Sequence, residues 1–145
     1  MKAWIVYDSV WGNTERVARS IGEAVGREAR VFPVAEADPA GAATVDLLVV
    51  ASPTQGGRPT AATQGFLDAL RPASLGKVRV AAFDTRIPMR FAKLFGYAAG
   101  KIAACLVAKG GNQVAAPEGF LVRGRKGPLA DGELERAAAW GKKLV

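Results

Sequence analysis

Five times along this chain a short run of apolar side chains gives way to a stretch in which apolar positions recur every three or four residues. The first run, Ala3-Trp4-Ile5-Val6-Tyr7, predicts a strand over 2–8. Val17, Ile21, Ala24 and Val25 then fall at helical spacing over 13–27, with Gly26 marking the helix end. A short strand near 30–34 contains Pro33, and Asp38-Pro39-Ala40-Gly41 reads as a turn region. The unbroken run Asp46-Leu47-Leu48-Val49-Val50-Ala51 reads as a strand buried on both faces. A Gly/Pro-rich loop over 52–60, a helix over 60–70 that stops before Pro72, and a fourth strand over 78–83 follow. Phe91, Leu94, Phe95, Ala98, Ile102 and Cys105 share one side of a long helix over 89–108, which ends at Gly110-Gly111. Pro117 interrupts a fifth strand formed by 113–115 and 120–122. A last helix begins near Asp131, where Asp131, Glu133 and Glu135 suit the positive end of its dipole, as Lys142 and Lys143 suit the other end.

Strands that alternate with helices in this way predict an α/β fold with a parallel sheet covered on both faces. Ligands of such sheets bind beyond the carboxyl ends of the strands, where the strand order reverses. Three loops are expected there, at 8–14, 52–59 and 84–90.

Composition narrows the chemistry. At 145 residues, half of them hydrophobic, the chain is expected to fold as one domain, 1–145, and no repeat or linker divides it. One cysteine and no histidine exclude a disulfide framework, a Cys/His zinc site and any proton relay built on imidazole. The apolar start is only strand-length and stops at Asp8, too short for a signal peptide or a membrane helix, so the expected compartment is the cytoplasm, without membrane insertion. The net charge of +7 is lopsided: residues 1–76 carry seven basic and eight acidic side chains, residues 77–145 thirteen and five. The basic residues are scattered, Arg123, Arg125 and Lys126 being the tightest group, with little aromatic interleaving. That pattern fits a solvated basic surface better than a nucleic-acid footprint.

The first loop carries the clearest chemistry. Ser9, Val10, Trp11, Gly12, Asn13 and Thr14 join a strand directly to a helix, which gathers backbone N–H groups in front of the helix's positive end. Such a turn is either a phosphate seat or an ordinary capped strand-to-helix junction. No Walker loop precedes any Gly-Lys pair, and no G-x-G-x-x-G is present, so a bound phosphate should belong to a monophosphate.

The stretch Ile5-Val6-Tyr7-Asp8-Ser9-Val10-Trp11-Gly12-Asn13-Thr14-Glu15 resembles the opening of a flavodoxin, and the similarity extends through the chain in length and element order. Ala51-Ser52-Pro53-Thr54-Gln55-Gly56-Gly57-Arg58-Pro59 is similar to the segment with which flavodoxins and related flavin-dependent quinone reductases hold the isoalloxazine ring, and Phe83-Asp84-Thr85-Arg86 stands at the third flavin-binding position. The resemblance implies a flavodoxin-like three-layer sandwich whose five-stranded parallel sheet has the order 2-1-3-4-5, and FMN as cofactor. It implies that Ser9 to Thr14 bind the phosphate, while Pro53, Thr54, Gln55, Gly56 and Gly57, with Asp84, Thr85 and Arg86, frame the ring. Gly56-Gly57 would let a peptide flip toward the reduced flavin at little steric cost.

Two departures from the family pattern shape the functional expectation. Gln55 and the segment Arg86-Ile87-Pro88-Met89 replace the aromatic residues that usually stack on the ring, leaving Trp11 and Phe91 as the nearest candidates and one ring face open to a flat, quinone-like acceptor. Flavodoxins also tend to surround the flavin with acidic residues, whereas Arg58, Arg86, Arg90 and Lys93 fall near it here. One cation about 8 Å from the ring would favour the anionic reduced flavin by roughly 2 kcal/mol at an effective dielectric of about 20. That is at most about 90 mV. The expectation is an FMN-binding electron-transfer protein with no catalytic acid or base, meeting a redox partner that is acidic at the contact. The alternatives are an FMN-dependent NAD(P)H:quinone-type oxidoreductase and a flavin-free module that binds through its basic surface.

Overall fold

The computed structural model describes residues 1–88 and 96–145. Six strands are described: β1 (Ala3–Tyr7), β2 (Ala29–Pro33), β3 (Leu47–Pro53), β4 (Arg79–Arg86), β5 (Asn112–Gln113) and β6 (Glu118–Leu121). The described helices are α1 (Asn13–Val25), α2 (Ala61–Ala69), α3 (Ala98–Ala108) and α4 (Glu133–Lys142). Phe91, Leu94 and Phe95 of the long helix expected over 89–108, together with Met89, Arg90 and Lys93, lie outside the described residues. The turn expected at 38–41 is the start of a 3-10 helix, Pro39–Thr44, whose first free N–H at Ala40 bonds the Asp38 carboxylate at 3.0 Å.

All sheet pairings are parallel, in the order β2-β1-β3-β4-β5, and β6 also pairs with β4. The expected order 2-1-3-4-5 is therefore present, with its fifth position filled by two short pieces. β5 pairs with the start of β4 and β6 with its end, on either side of Pro117, which has no N–H to give to a ladder.

Period-2 alternation divides the strands between two cores. Trp4, Val6, Leu48, Val50, Val80 and Ala82 face α2 and α3, where Phe66, Leu67, Ala98, Ile102 and Leu106 meet them. Ala3, Ile5, Tyr7, Leu47, Val49, Ala51, Ala81 and Phe83 face α1 and α4, against Val17, Ala18, Ile21, Ala137, Trp140 and Leu144. Cys105 packs at the edge of the first core, and Trp4 and Trp140 are packing groups within the two. Phe83, Phe120 and Trp140 meet edge to face, with centroids 5.6–6.2 Å apart. Gly141 brings α4 against α1, since a Cβ there would stand 3.0 Å from the Ile21 carbonyl oxygen.

An ion-pair network fixes β6 to α4. Arg136 makes two bonds to the Glu133 carboxylate, pairs with Glu118 at 3.1 Å, donates to the Gly119 carbonyl and lies over Phe120. Glu133 also accepts the Leu121 N–H at 2.6 Å. The carboxylate expected to serve the helix dipole thus holds a strand as well. The Arg136 hydrogen bond, aided by that of Leu121, holds the Glu133 carboxyl below its usual range. A depressed native pKa gives stability that is complete above the unfolded value, about 4.3, and is lost as pH falls through the native one. Glu133→Gln is expected to cost about 1.5–3 kcal/mol at neutral pH. Urea midpoints measured from pH 7 downward should converge with those of the parent once acid has discharged Glu133.

Candidate functional site

The carboxyl ends of β1, β3 and β4 open into a crevice of about 460 Å³. The first loop builds one wall. Gly12, with φ of 91°, turns the chain from β1 into α1 in a conformation that side chains rarely adopt. The Ser9 hydroxyl stays inside the loop, accepting the N–H groups of Gly12 at 3.1 Å and Glu15 at 3.3 Å, while the Asp8 carboxylate accepts the Ser9 N–H. Among the described residues, the N–H groups of Val10, Trp11, Asn13 and Thr14 have no acceptor. Four free donors at the positive end of a 13-residue helix suit an anion such as a phosphate dianion. The buried Thr14 hydroxyl shares a 2.8 Å hydrogen bond with Thr85.

The second loop is braced from three sides. The Thr54 N–H donates to Thr85 O, and the Thr54 hydroxyl accepts the Ala98 N–H. Gln55 and Arg58 exchange both backbone bonds across Gly56 and Gly57, whose φ values of 57° and 77° make the tight turn that two glycines form without strain. Lys101 of α3 donates to the Gly57 carbonyl at 2.6 Å. At the loop's far end the Thr60 hydroxyl caps α2 and also donates to Asp8 at 2.5 Å, so one carboxylate ties the first loop to the second.

The third segment is strand rather than loop, because β4 runs to Arg86. Thr85 points to the α1 side, whereas Asp84 and Arg86 point to the α3 side. Asp84 is fully buried, paired with Arg86 at 2.6 and 2.8 Å, and accepts the Ala99 N–H at 2.9 Å. The Arg86 guanidinium lies 3.5 Å from the centroid of Tyr97 on one side and crosses Gly119 on the other, where a Cβ would come within 2.2 Å of it. This pairing changes the charge expected around the crevice: Arg86 is neutralised by Asp84, and Arg58 is exposed without lining the crevice. Arg90 and Lys93 lie outside the described residues.

Of the residues picked from the sequence, Val10, Trp11, Asn13, Thr14, Pro53, Thr54, Gln55, Thr85 and Arg86 line the crevice together. Ser9, Gly12, Gly56, Gly57 and Asp84 do not line it; they shape the turns or hold a neighbour. Ile87, from the segment that stands in place of the stacking aromatics, completes the lining with Val122 and Arg125, and only the last two were missed. Arg125 belongs to the tightest basic group in the sequence, which was the one signal available for it. The group is on a hairpin closed by the Val122–Leu129 bridge, whose tip meets the first loop: Asn13 donates to the Lys126 carbonyl at 3.2 Å, and the Lys126 ammonium stands over the Trp11 ring. Gly127 lies so close to Asn13 that a Cβ would clash with its amide.

Comparison with known proteins agrees with this fold. The sequence model described as flavodoxin matches residues 5–140. No curated protein matches the sequence. Among solved structures, the chain is similar to a flavodoxin from the domain Archaea, with a TM-score of 0.81 and 21% identity over 99% of this chain and 96% of the other. It is similar to oxidised flavodoxin 1 from Bacillus cereus, with a TM-score of 0.82 and 19% identity over 99% and 97%. The flavodiiron core Flv1 of Synechocystis sp. PCC6803 is similar at a TM-score of 0.74 and 15% identity, over 99% of this chain and 35% of that one. At these identities the structural likeness speaks for the fold.

Proposed function

The chain belongs to the flavodoxin family, and on that premise we propose that it binds FMN in the crevice and passes electrons between redox partners. The observation that carries the reading is the set of four free N–H groups at the start of α1, a fit for the terminal phosphate of FMN. Bound FMN would supply one- and two-electron redox chemistry; the protein's part is to seat, shield and tune it. Val10, Trp11, Asn13 and Thr14 would hold the phosphate end, with Ser9 and Gly12 shaping their loop. Pro53, Thr54 and Gln55, with Thr85 and Arg86, would frame the ring, and the Gly56-Gly57 turn would place a backbone group at its edge. Asp84 acts through Arg86. No described side chain is assigned a catalytic proton.

Trp11 is about half exposed and is the one aromatic residue among the described lining, so one ring face would be left to solvent or to a partner. Val10 and Ile87 add exposed apolar surface beside it, Arg125 of the lining and Lys126 over the Trp11 ring add exposed positive charge, and Arg58 is exposed on the second loop. An apolar centre with a basic rim suits a partner that is acidic at the contact. No described helix is long and apolar enough to cross a membrane; we place the protein in the cytoplasm.

Titration of FMN should quench the flavin fluorescence to a one-to-one end point. Absence of quenching would leave the flavin-free binding module as the reading. The loaded protein with NAD(P)H and a quinone should turn over only when a separate reductase is added; rapid turnover by the pure protein would make it an oxidoreductase.

A further inference from the structure

Two cations line the crevice among the described residues, and they are placed very differently. Arg86 is bound on both arms by a buried carboxylate. Arg125 has no hydrogen-bond or ion-pair partner among the described residues. Its neighbours on the hairpin are engaged: Arg123 pairs with Asp131 at 2.9 Å, and Lys126 lies over Trp11. The hairpin itself is fixed to the anion-suited loop, through the Asn13 bond to the Lys126 carbonyl and through Gly127, whose missing Cβ lets Asn13 sit against it. Arg125 is therefore presented to the crevice from a residue adjacent to the loop's own contact.

We propose that Arg125 is the specificity-determining cation of the site: it pairs with the terminal phosphate of the flavin and so selects the phosphorylated cofactor over riboflavin. The inference rests on FMN being the ligand. A loop of neutral N–H donors binds the phosphate by hydrogen bonds and helix dipole alone; a guanidinium adds a charge-assisted, bidentate contact that only the phosphate can use. Because the guanidinium is exposed, the contact is weakened by salt.

The test is a pair of fluorescence-quenching titrations, with FMN and with riboflavin, on the parent protein, Arg125→Gln and Arg125→Lys, at low and at moderate salt. The parent should prefer FMN, and more so at low salt. Arg125→Gln should weaken FMN about tenfold, which is about 1.4 kcal/mol, leave riboflavin within about twofold, and flatten the salt dependence. Arg125→Lys should recover part of the loss, while Arg123→Gln, on the same hairpin but paired with Asp131, should change neither ligand. A parent that binds neither flavin overturns the cofactor reading itself. A parent that binds FMN, with an Arg125→Gln variant that keeps the same FMN-to-riboflavin ratio and the same salt dependence, overturns the assignment of Arg125 alone.

Discussion

Arg86→Met is expected to lower the unfolding free energy by about 3–5 kcal/mol at neutral pH, the cost of stranding one member of a buried ion pair. Asp84 has no exposure to water, and its remaining partner would be the single N–H of Ala99. Methionine restores much of the volume over Tyr97 but none of the charge, so the penalty isolates the orphaned carboxylate. Denaturant unfolding of the single variant and of Asp84→Asn/Arg86→Met separates the two contributions. The double variant should regain most of the loss, since an apolar or neutral pair of similar size often replaces a buried ion pair at little cost. Equal destabilisation in single and double variants would mean that the guanidinium stabilises through its stacking on Tyr97 and not through the pair. The flavin potential is a useful second readout. A neutralised arginine contributes little net field, so the double variant should leave the potential close to that of the parent, far from the roughly 90 mV that an unpaired cation at about 8 Å could supply.

Gly12→Val should leave the fold largely intact but weaken FMN at least a hundredfold. With φ of 91°, position 12 lies where a β-branched residue is strained by about 1–3 kcal/mol. Space is not the obstacle, because nothing lies within 4 Å of a Cβ built there. Relief of the strain requires the peptide units on either side to rotate; these carry the Asn13 N–H and the Gly12 N–H, and breaking the bond of Gly12 to the Ser9 hydroxyl loosens the loop that presents the Trp11 N–H. Each charge-assisted bond lost is about 1.5–3 kcal/mol; two of them correspond to a factor of about 100 or more. Quenching titrations give the affinity and far-ultraviolet circular dichroism checks the helix. If Gly12→Ala, with a smaller strain, binds as tightly as the parent while the valine variant does not, bulk and not backbone direction governs the site.

The sequence foretold the architecture well where one signal dominates. An unbroken apolar run at 47–51 can only be a strand covered on both faces, and the 3.6-residue period from Val17 to Ile21 has one dry side. The first loop was legible as a direct strand-to-helix junction, while its use was open between an anion seat and an ordinary cap. The third segment was harder. Arg86 reads as a cation beside a ligand until the strand is seen to continue, which puts Asp84 two residues earlier on the same face of the sheet. Period-2 alternation held that information, but the boundary of β4 had to be known to use it. Arg125 was hidden for a different reason. Its contribution depends on a hairpin folding back across some 110 positions of sequence to meet Asn13, a contact set by tertiary packing. Glu133 stands in the first helical turn as expected, and its second role stayed hidden, since a carboxylate near a helix start serves the dipole equally well whether or not a strand N–H is waiting nearby.

The divided last strand has a bearing on how the molecule behaves in a crowded solution. A sheet normally ends in a row of open peptide groups that invites a second copy to add its own strand, the first step toward fibrils. Here that border is two fragments, of two and four residues, with a proline between them and polar or charged side chains at Asn112, Gln113 and Glu118. Neither fragment offers a template long enough to nucleate growth, so this margin of the protein is guarded against self-association by the same break that shortens its hydrogen-bond ladder.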